Sequence, residues 1–423
     1  MLRFKTSVVA AAFLALFVTD ASAEFKIKSD DGSWMAFSPR LQVWGESFSN
    51  SGLEGGGQND FFIRRFRLLL AGGILDDTVT FRAQLHDGGI GEDKHQNPEG
   101  YKFKDSAYLI EGFLGYKMEQ ELQMRVGLNV PPSNRTLLDG TFDQLMIDRS
   151  GLQSTSMNSG LATRYGFNRM KFKDAAVLNS SGFTRADEVD MGITLWGSHD
   201  FDDNLHGKYY FGVHTGVESG KRAANPLASA PLEQLAYTIN PNNNMRYSAR
   251  VQLNFMDAEN GYEQGATYMG NKKTVGIGAS YDAQAEVAVA DISKASYDYN
   301  EYELDAFAEL PDSFGSTTLR AEYMAVDLGG LAPEFEGSGY NLETGYFINK
   351  KVGKGNFQPS IRYVNWKADD AKGDYNTLQA GLNYYLKGHN AKIQLAYERF
   401  EPKVEQEAHP TQNFINLAFQ IKL

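Results

Sequence analysis

Nine arginines stand at alternate positions of short apolar stretches: Arg40, Arg65, Arg67, Arg82, Arg125, Arg246, Arg250, Arg320 and Arg362. A guanidinium offers a planar fork of donors that fits phosphate-like oxyanions. A ladder of such groups along a narrow wet passage concentrates its field and favours anions. Acids occupy the same faces, at Glu46, Asp190, Glu303, Asp305, Glu309, Glu322 and Glu343. Two readings therefore stand: a cationic ladder, or a wall of salt bridges with no net selectivity. A second basic group falls in the long segment 130–188. It comprises Arg135, Arg149, Arg164, Arg169, Lys171 and Lys173, beside Asp139, Asp143, Asp148 and Asp174. A connection this long suggests function. The basic, aromatic run RYGFNRMKFK from Arg164 is the foremost candidate to narrow a passage; an exposed loop flank is the alternative.

Other chemistry is poorly supplied. There is no cysteine, which excludes disulfides and thiolate metal sites. The seven histidines have no metal-ligand spacing. The run GGIGEDKHQNPEG from Gly88 lacks the Lys-Ser/Thr and helix of a phosphate cradle, and DDAKGD from Asp369 lacks calcium-loop spacing. His86-Asp87 is an adjacent pair at a strand end that a barrel hydrolase would need, but such an enzyme has no use for a wide lumen. No catalytic residue, cofactor or metal is expected. A net charge of −12 argues against nucleic acid as a partner.

The elements that must position these side chains alternate with period two. At the C-terminus, Ile415, Leu417, Phe419, Ile421 and Leu423 share one face, and Asn416, Ala418, Gln420 and Lys422 the other. The same pattern predicts about sixteen strands near 34–48, 61–73, 78–87, 106–117, 121–129, 189–198, 206–216, 245–256, 272–283, 300–311, 317–327, 338–349, 356–366, 375–387, 390–401 and 412–423. Residues 284–291 are a further candidate for strand. Short connections alternate with long ones. Tilted strands of about ten residues with this asymmetry predict an all-β transmembrane antiparallel β-barrel, with short periplasmic turns and long extracellular loops. The third long loop, 130–188, is expected to fold into the lumen. Asp257–Asn271 breaks the rule, being long for a periplasmic turn. A soluble sandwich also has many short strands, but leaves the asymmetry and the apolar terminal strand unexplained. Trp34, Trp44, Trp196 and Trp366, with many Tyr and Phe, are expected to supply the interfacial girdles.

Residues 1–23 have the form of a signal peptide. Arg3 and Lys5 precede an apolar core from Val8 to Val18, and Ala21-Ser22-Ala23 is a small-x-small cleavage site. The expected organisation is thus a signal at 1–23 and a barrel at 24–423 in the bacterial outer membrane.

Four stretches resemble the phosphate-selective porin family, porins O and P. They are RLQVWGESFS from Arg40, FFIRRFRLLLAGGILDDTVTFRAQL from Phe61, LQMRVGLNVPPSNRTLL from Leu122 with Asp148-Arg149-Ser150, and GLNYYLKGHNAKIQLAYE from Gly381. Asp148 stands where the family signature has Glu. The resemblance implies a trimeric sixteen-stranded barrel in outer-membrane lipid, with a narrowed basic lumen. It implies passive diffusion of small hydrophilic solutes, favouring anions such as phosphate. A general channel, or one for other oxyanions or organic acids, is the alternative.

Overall fold

The computed structural model describes residues 25–49, 58–87, 107–150, 152, 189–217, 219–224, 236–290, 293–331, 333, 336–404 and 411–423. The leader predicted over 1–23 lies outside them. So do Arg164, Arg169, Lys171 and Lys173.

The strands in chain order are β1 (Phe25–Lys28), β2 (Trp34–Phe48), β3 (Gln58–Ile74), β4 (Val79–Asp87), β5 (Tyr108–Lys117), β6 (Gln123–Asn129), β7 (Asp190–Asp200), β8 (Leu205–His214), β9 (Gly220–Ala224) and β10 (Ala236–Ile239). They continue as β11 (Arg246–Met256), β12 (Thr274–Ala290), β13 (Ser296–Pro311), β14 (Gly315–Asp327), β15 (Gly337–Ile348), β16 (Asn356–Ala368), β17 (Tyr375–Lys387), β18 (Ala391–Pro402) and β19 (Gln412–Lys422). Sixteen of them close into an antiparallel barrel, running β2 to β8 and then β11 to β19. Strand β8 pairs with β11, and β19 returns to β2 with Phe414 opposite Phe48 and Lys422 opposite Arg40. Closure is forced by the solvent. In hydrocarbon an unpaired N–H or C=O costs several kcal/mol, and a closed ladder leaves no edge. Short β1 extends the β2 ladder at the short-turn rim, while the β9–β10 hairpin adds to the far end of β12.

Strands β12 and β13 run further than their periodicity alone predicts, and the 284–291 candidate is strand through Ala290. The faces follow alternation. On β11, Tyr247, Val251, Leu253 and Phe255 are exposed on the outside, whereas Arg246, Ser248, Arg250, Gln252 and Asn254 are buried within. One parity change was not legible. The β2–β3 register shifts at Gln42/Val43, opposite Arg65 and Ile63, so Arg64 is an extra residue on β3. A bulge of this kind re-aims its side chains. Phe62 consequently faces in and Phe61 faces out.

The tryptophans correct an expectation. Trp44, Trp196 and Trp366 do not form a girdle but are buried inside the barrel. Register decides this, since Trp44 has the inward parity of Gln42 and Glu46, and Trp196 that of Thr194 and Ser198. Each packs against other inward side chains: Trp44 on Ile147, Trp196 on Leu138 and Tyr262, and Trp366 in the cluster with Leu152. Trp34 is half-buried, with Lys26 over its ring at 3.6 Å. Exposed outward rings are instead Tyr and Phe, such as Tyr247, Tyr281 and Tyr302.

Gly278 of β12 is needed by its neighbours. A Cβ there would collide with the Arg250 guanidinium and the Asp305 carboxylate, whose ion pair fills the space above it. Gly278→Val should therefore lower stability by about 1–3 kcal/mol through overpacking. A urea titration of the folded barrel checks this, and an unchanged midpoint refutes it.

Candidate functional site

All nine predicted arginines face the lumen, but seven meet a carboxylate there. Arg246 pairs with Asp282, Arg250 with Asp305, and Arg362 with Glu343 at 3.0 Å. Arg320 meets Asp139, Glu322 and Glu343, and Arg65 meets Asp148 at 2.8 Å. Arg82 reaches Glu111 at 3.0 Å and also Glu263, which lies 3.8 Å from Arg125. Arg67 donates to His86 Nδ1 and Thr141 Oγ1. Arg40 lies half-buried, 5.8 Å from the Phe142 ring centroid. On strands β11 to β16 the salt-bridge reading prevails.

The chain leaves β6 at Asn129 and turns into the barrel. Pro131 and Pro132 lack the N–H that a continuing ladder needs. A single helical turn, Arg135–Leu138, follows, and Asn134 Oδ1 accepts from the Leu137 N–H as its cap. The segment then runs along the wall, and inward side chains take up its carbonyls. Gln420 donates to Phe142 O, Lys392 to Gln144 O, and Asn383 to Leu145 O. Gln394 donates to Met146 O and Arg362 to Asp148 O. A buried carbonyl left unpaired would cost about 1–3 kcal/mol, so these amides and cations fix the segment. Its own cations are held likewise. Arg135 and Arg149 are both buried, and Arg149 donates to Leu137 O and Asp139 O. Burial, followed by the like charges of Arg65 and Arg67, lowers Arg149 to about 9. Asp148 receives both Arg64 and Arg65, so the β3 bulge contributes two cations to one carboxylate.

Sequence reasoning missed a second inward segment. The long connection 257–273, on the short-turn side, folds back into the lumen. Glu259 is its anchor, accepting from Arg135 at 2.8 and 3.1 Å, from Gln252 and Asn254 at 2.7 and 2.9 Å, and from Tyr268. Burial alone would raise this carboxyl, but Arg135 outweighs it and holds it below the usual carboxylate range. Tyr262 sets its ring edge-on to Trp196 and Tyr210, at 5.5 and 5.2 Å, and donates to Val130 O. The Gln264 N–H donates to Leu138 O, which joins the two inward segments directly. The length of 257–271 was the available signal; nothing in its residue types gave the direction of the fold.

The two segments pack along β12 to β16 and reach β17 to β19, β2 and β3 as well. Glu303, Glu309, Thr318, Arg320 and Asn341 on β13 to β15 are buried. The accessible charged side chains lie elsewhere. Arg64, Arg82, Arg125 and Lys422 keep 25, 19, 14 and 21% of their side-chain surface, and Arg40 is half-buried. Facing them are Glu263 and Asp143, with 36 and 30%. Burial would raise Asp143, but His389 and Lys422 hold it down at about 2. The partly accessible charges along β2 to β6 and β19 are thus mostly cations, several of them ion-paired, while those along β11 to β16 are buried and paired.

A family model described as phosphate-selective porin O and P matches residues 314–422. An uncharacterized protein of Aquifex aeolicus (strain VF5) is 25% identical over 150 residues, or 34% of this chain and 35% of that one. The match thus spans about a third of the relative's length. Among solved structures, OmpF of Salmonella typhi in complex with daunomycin has a TM-score of 0.54 at 12% identity, covering 94% of this chain and 100% of that chain. The outer membrane channel DcaP of Acinetobacter baumannii gives 0.53 at 9%, with 94 and 99% covered. An anion-selective porin from Comamonas acidovorans gives 0.50 at 11%, with 92 and 100% covered. At these identities the likeness is one of fold, and the fold is that of a porin.

Proposed function

We propose that the protein is a passive outer-membrane channel for small hydrophilic solutes, with a preference for anions such as phosphate. The preference rests on the partly accessible charges along β2 to β6 and β19, where Arg40, Arg64, Arg82, Arg125 and Lys422 outnumber Glu263, Asp143 and Asp60. Accessible charges in a narrow lumen act on passing ions, whereas paired buried ones largely cancel. The match to the phosphate-selective family and the likeness to an anion-selective porin agree with this reading. Export through the N-terminal signal and assembly as a homotrimer in outer-membrane lipid complete it. The segment 130–188 is its constriction element, with Arg135 and Arg149 in the described part. No catalytic chemistry is proposed: His86 accepts from Arg67 and lies edge-on to Tyr108.

The pairing of seven of the nine arginines favours a second reading, a general channel or one for other oxyanions or organic acids. Purified protein in planar bilayers separates the two. Expected are stepwise conductance, an anion-side reversal potential in a KCl gradient, and a chloride current reduced by millimolar phosphate. A cation-side potential would overturn the anion preference. Block by sulfate or carboxylates without block by phosphate would select the second reading.

A further inference from the structure

The turn-side segment 257–273 brings one accessible acid onto the cationic wall. Glu263 meets Arg82, lies 3.8 Å from Arg125, and keeps 36% of its side-chain surface. Both arginines are near the short-turn rim, Arg82 fourth in β4 and Arg125 third in β6. Arg125 is itself held between two rings, 4.4 Å from the Phe113 centroid and 3.7 Å from that of Tyr262. Tyr262 adjoins Glu263, so the aromatic contact that fixes the segment also fixes the acid. Burial would raise the Glu263 carboxyl, but Arg82, then Arg125, keep it below its usual range and ionised.

We infer that Glu263 is a selectivity-determining residue, a counter-charge carried in from the periplasmic turn that masks Arg82 and Arg125 and limits the pull of this wall on anions. The inference rests on the channel reading, but concerns which residue sets the size of the preference. The geometry supports it in three ways. Glu263 keeps more of its side-chain surface than Asp143, 36 against 30%. It stands against cations on two strands rather than one. And its segment is anchored independently, through Glu259 to Arg135 and Gln264 to Leu138, so removing its charge leaves the segment in place.

The absence of cysteine in the chain allows a direct test. A Glu263→Cys variant carries the sole thiol, and its charge can then be set by reagent. The probes are two methanethiosulfonates, one bearing a sulfonate and the other a trimethylammonium group. Reversal potentials in a KCl gradient are read for the parent, the variant and each labelled form. One charge at a water-filled site shifts the anion-to-cation permeability ratio by about twofold. The variant should therefore exceed the parent by about that factor. The sulfonate label should return the ratio towards the parent, and the trimethylammonium label should raise it further. Equal potentials in fully labelled forms, with labelling verified by mass, would overturn the inference. So would a thiol that neither reagent reaches, since the residue must face the ion path. A parent that prefers cations would refute the anion reading, yet the ordered shifts would still establish the role of Glu263. An anion-selective parent without those shifts refutes the inference alone.

Discussion

A Glu259→Ala barrel is expected to lose about 3–5 kcal/mol of stability, the cost of breaking a buried ion pair from one side. Glu259 and Arg135 each expose only 1% of their side chains. Removing the carboxylate strands the donors of Arg135, Gln252, Asn254 and Tyr268 together. Water cannot easily replace it, because Arg135 is packed 4.1 Å from the Phe307 ring centroid. That stacking retains up to about 2 kcal/mol for the desolvated cation, so the loss stays below the sum of the broken contacts. Glu259→Gln keeps one acceptor oxygen and should fall between parent and alanine variant. Urea unfolding of the three proteins checks the order, with open-channel current noise as a second readout. Noise should rise as the two inward segments separate. An alanine variant as stable as the parent would mean that Glu259 does not hold them. The pH sign follows from the depressed carboxyl. Its stabilisation is complete above about pH 4, the unfolded value, and is lost only in strongly acidic solution as the folded form protonates.

The second large effect concerns selectivity. Arg40→Gln with Arg125→Gln removes two partly accessible cations that no close carboxylate neutralises. No carboxylate pairs with Arg40 among the described residues' ion pairs, and Arg125 is 3.8 Å from its nearest one. Two unit charges about 4–8 Å from a passing ion act together at about 1–2 kcal/mol in water. The anion-to-cation ratio should thus fall about five- to thirtyfold, since about 1.4 kcal/mol is tenfold. Arg246→Gln is the contrasting variant: its guanidinium is enclosed by Asp282 and Asp190 on the buried side. It should lower stability and move the reversal potential far less. Equal shifts from both variants would contradict the division into partly accessible cations and buried, paired ones.

The alternation of Tyr247, Val251, Leu253 and Phe255 with Arg246, Arg250, Gln252 and Asn254 was sufficient to place strands, faces and turn sides. Lipid outside and water or protein inside impose opposite polarities on adjacent residues, and such a local constraint is written at every position. The same periodicity misjudged the tryptophans, because their types suit a girdle and only parity sends Trp44, Trp196 and Trp366 inward. It also missed Arg64, whose placement depends on a bulge against β2.

What the sequence by itself determined is therefore the barrel: about sixteen strands, their faces, the alternation of short and long connections, and nine arginines pointing in. Period-two patterning needs no knowledge of distant partners. Only the tertiary structure decided which arginines remain accessible. Arg320 meets Asp139 and Arg135 meets Glu259 across 181 and 124 residues of chain, and no local pattern encodes such a pairing. The inward course of 257–273 is of the same kind. Its direction is set by donors and acceptors on strands far away, and these become neighbours only when the barrel has closed.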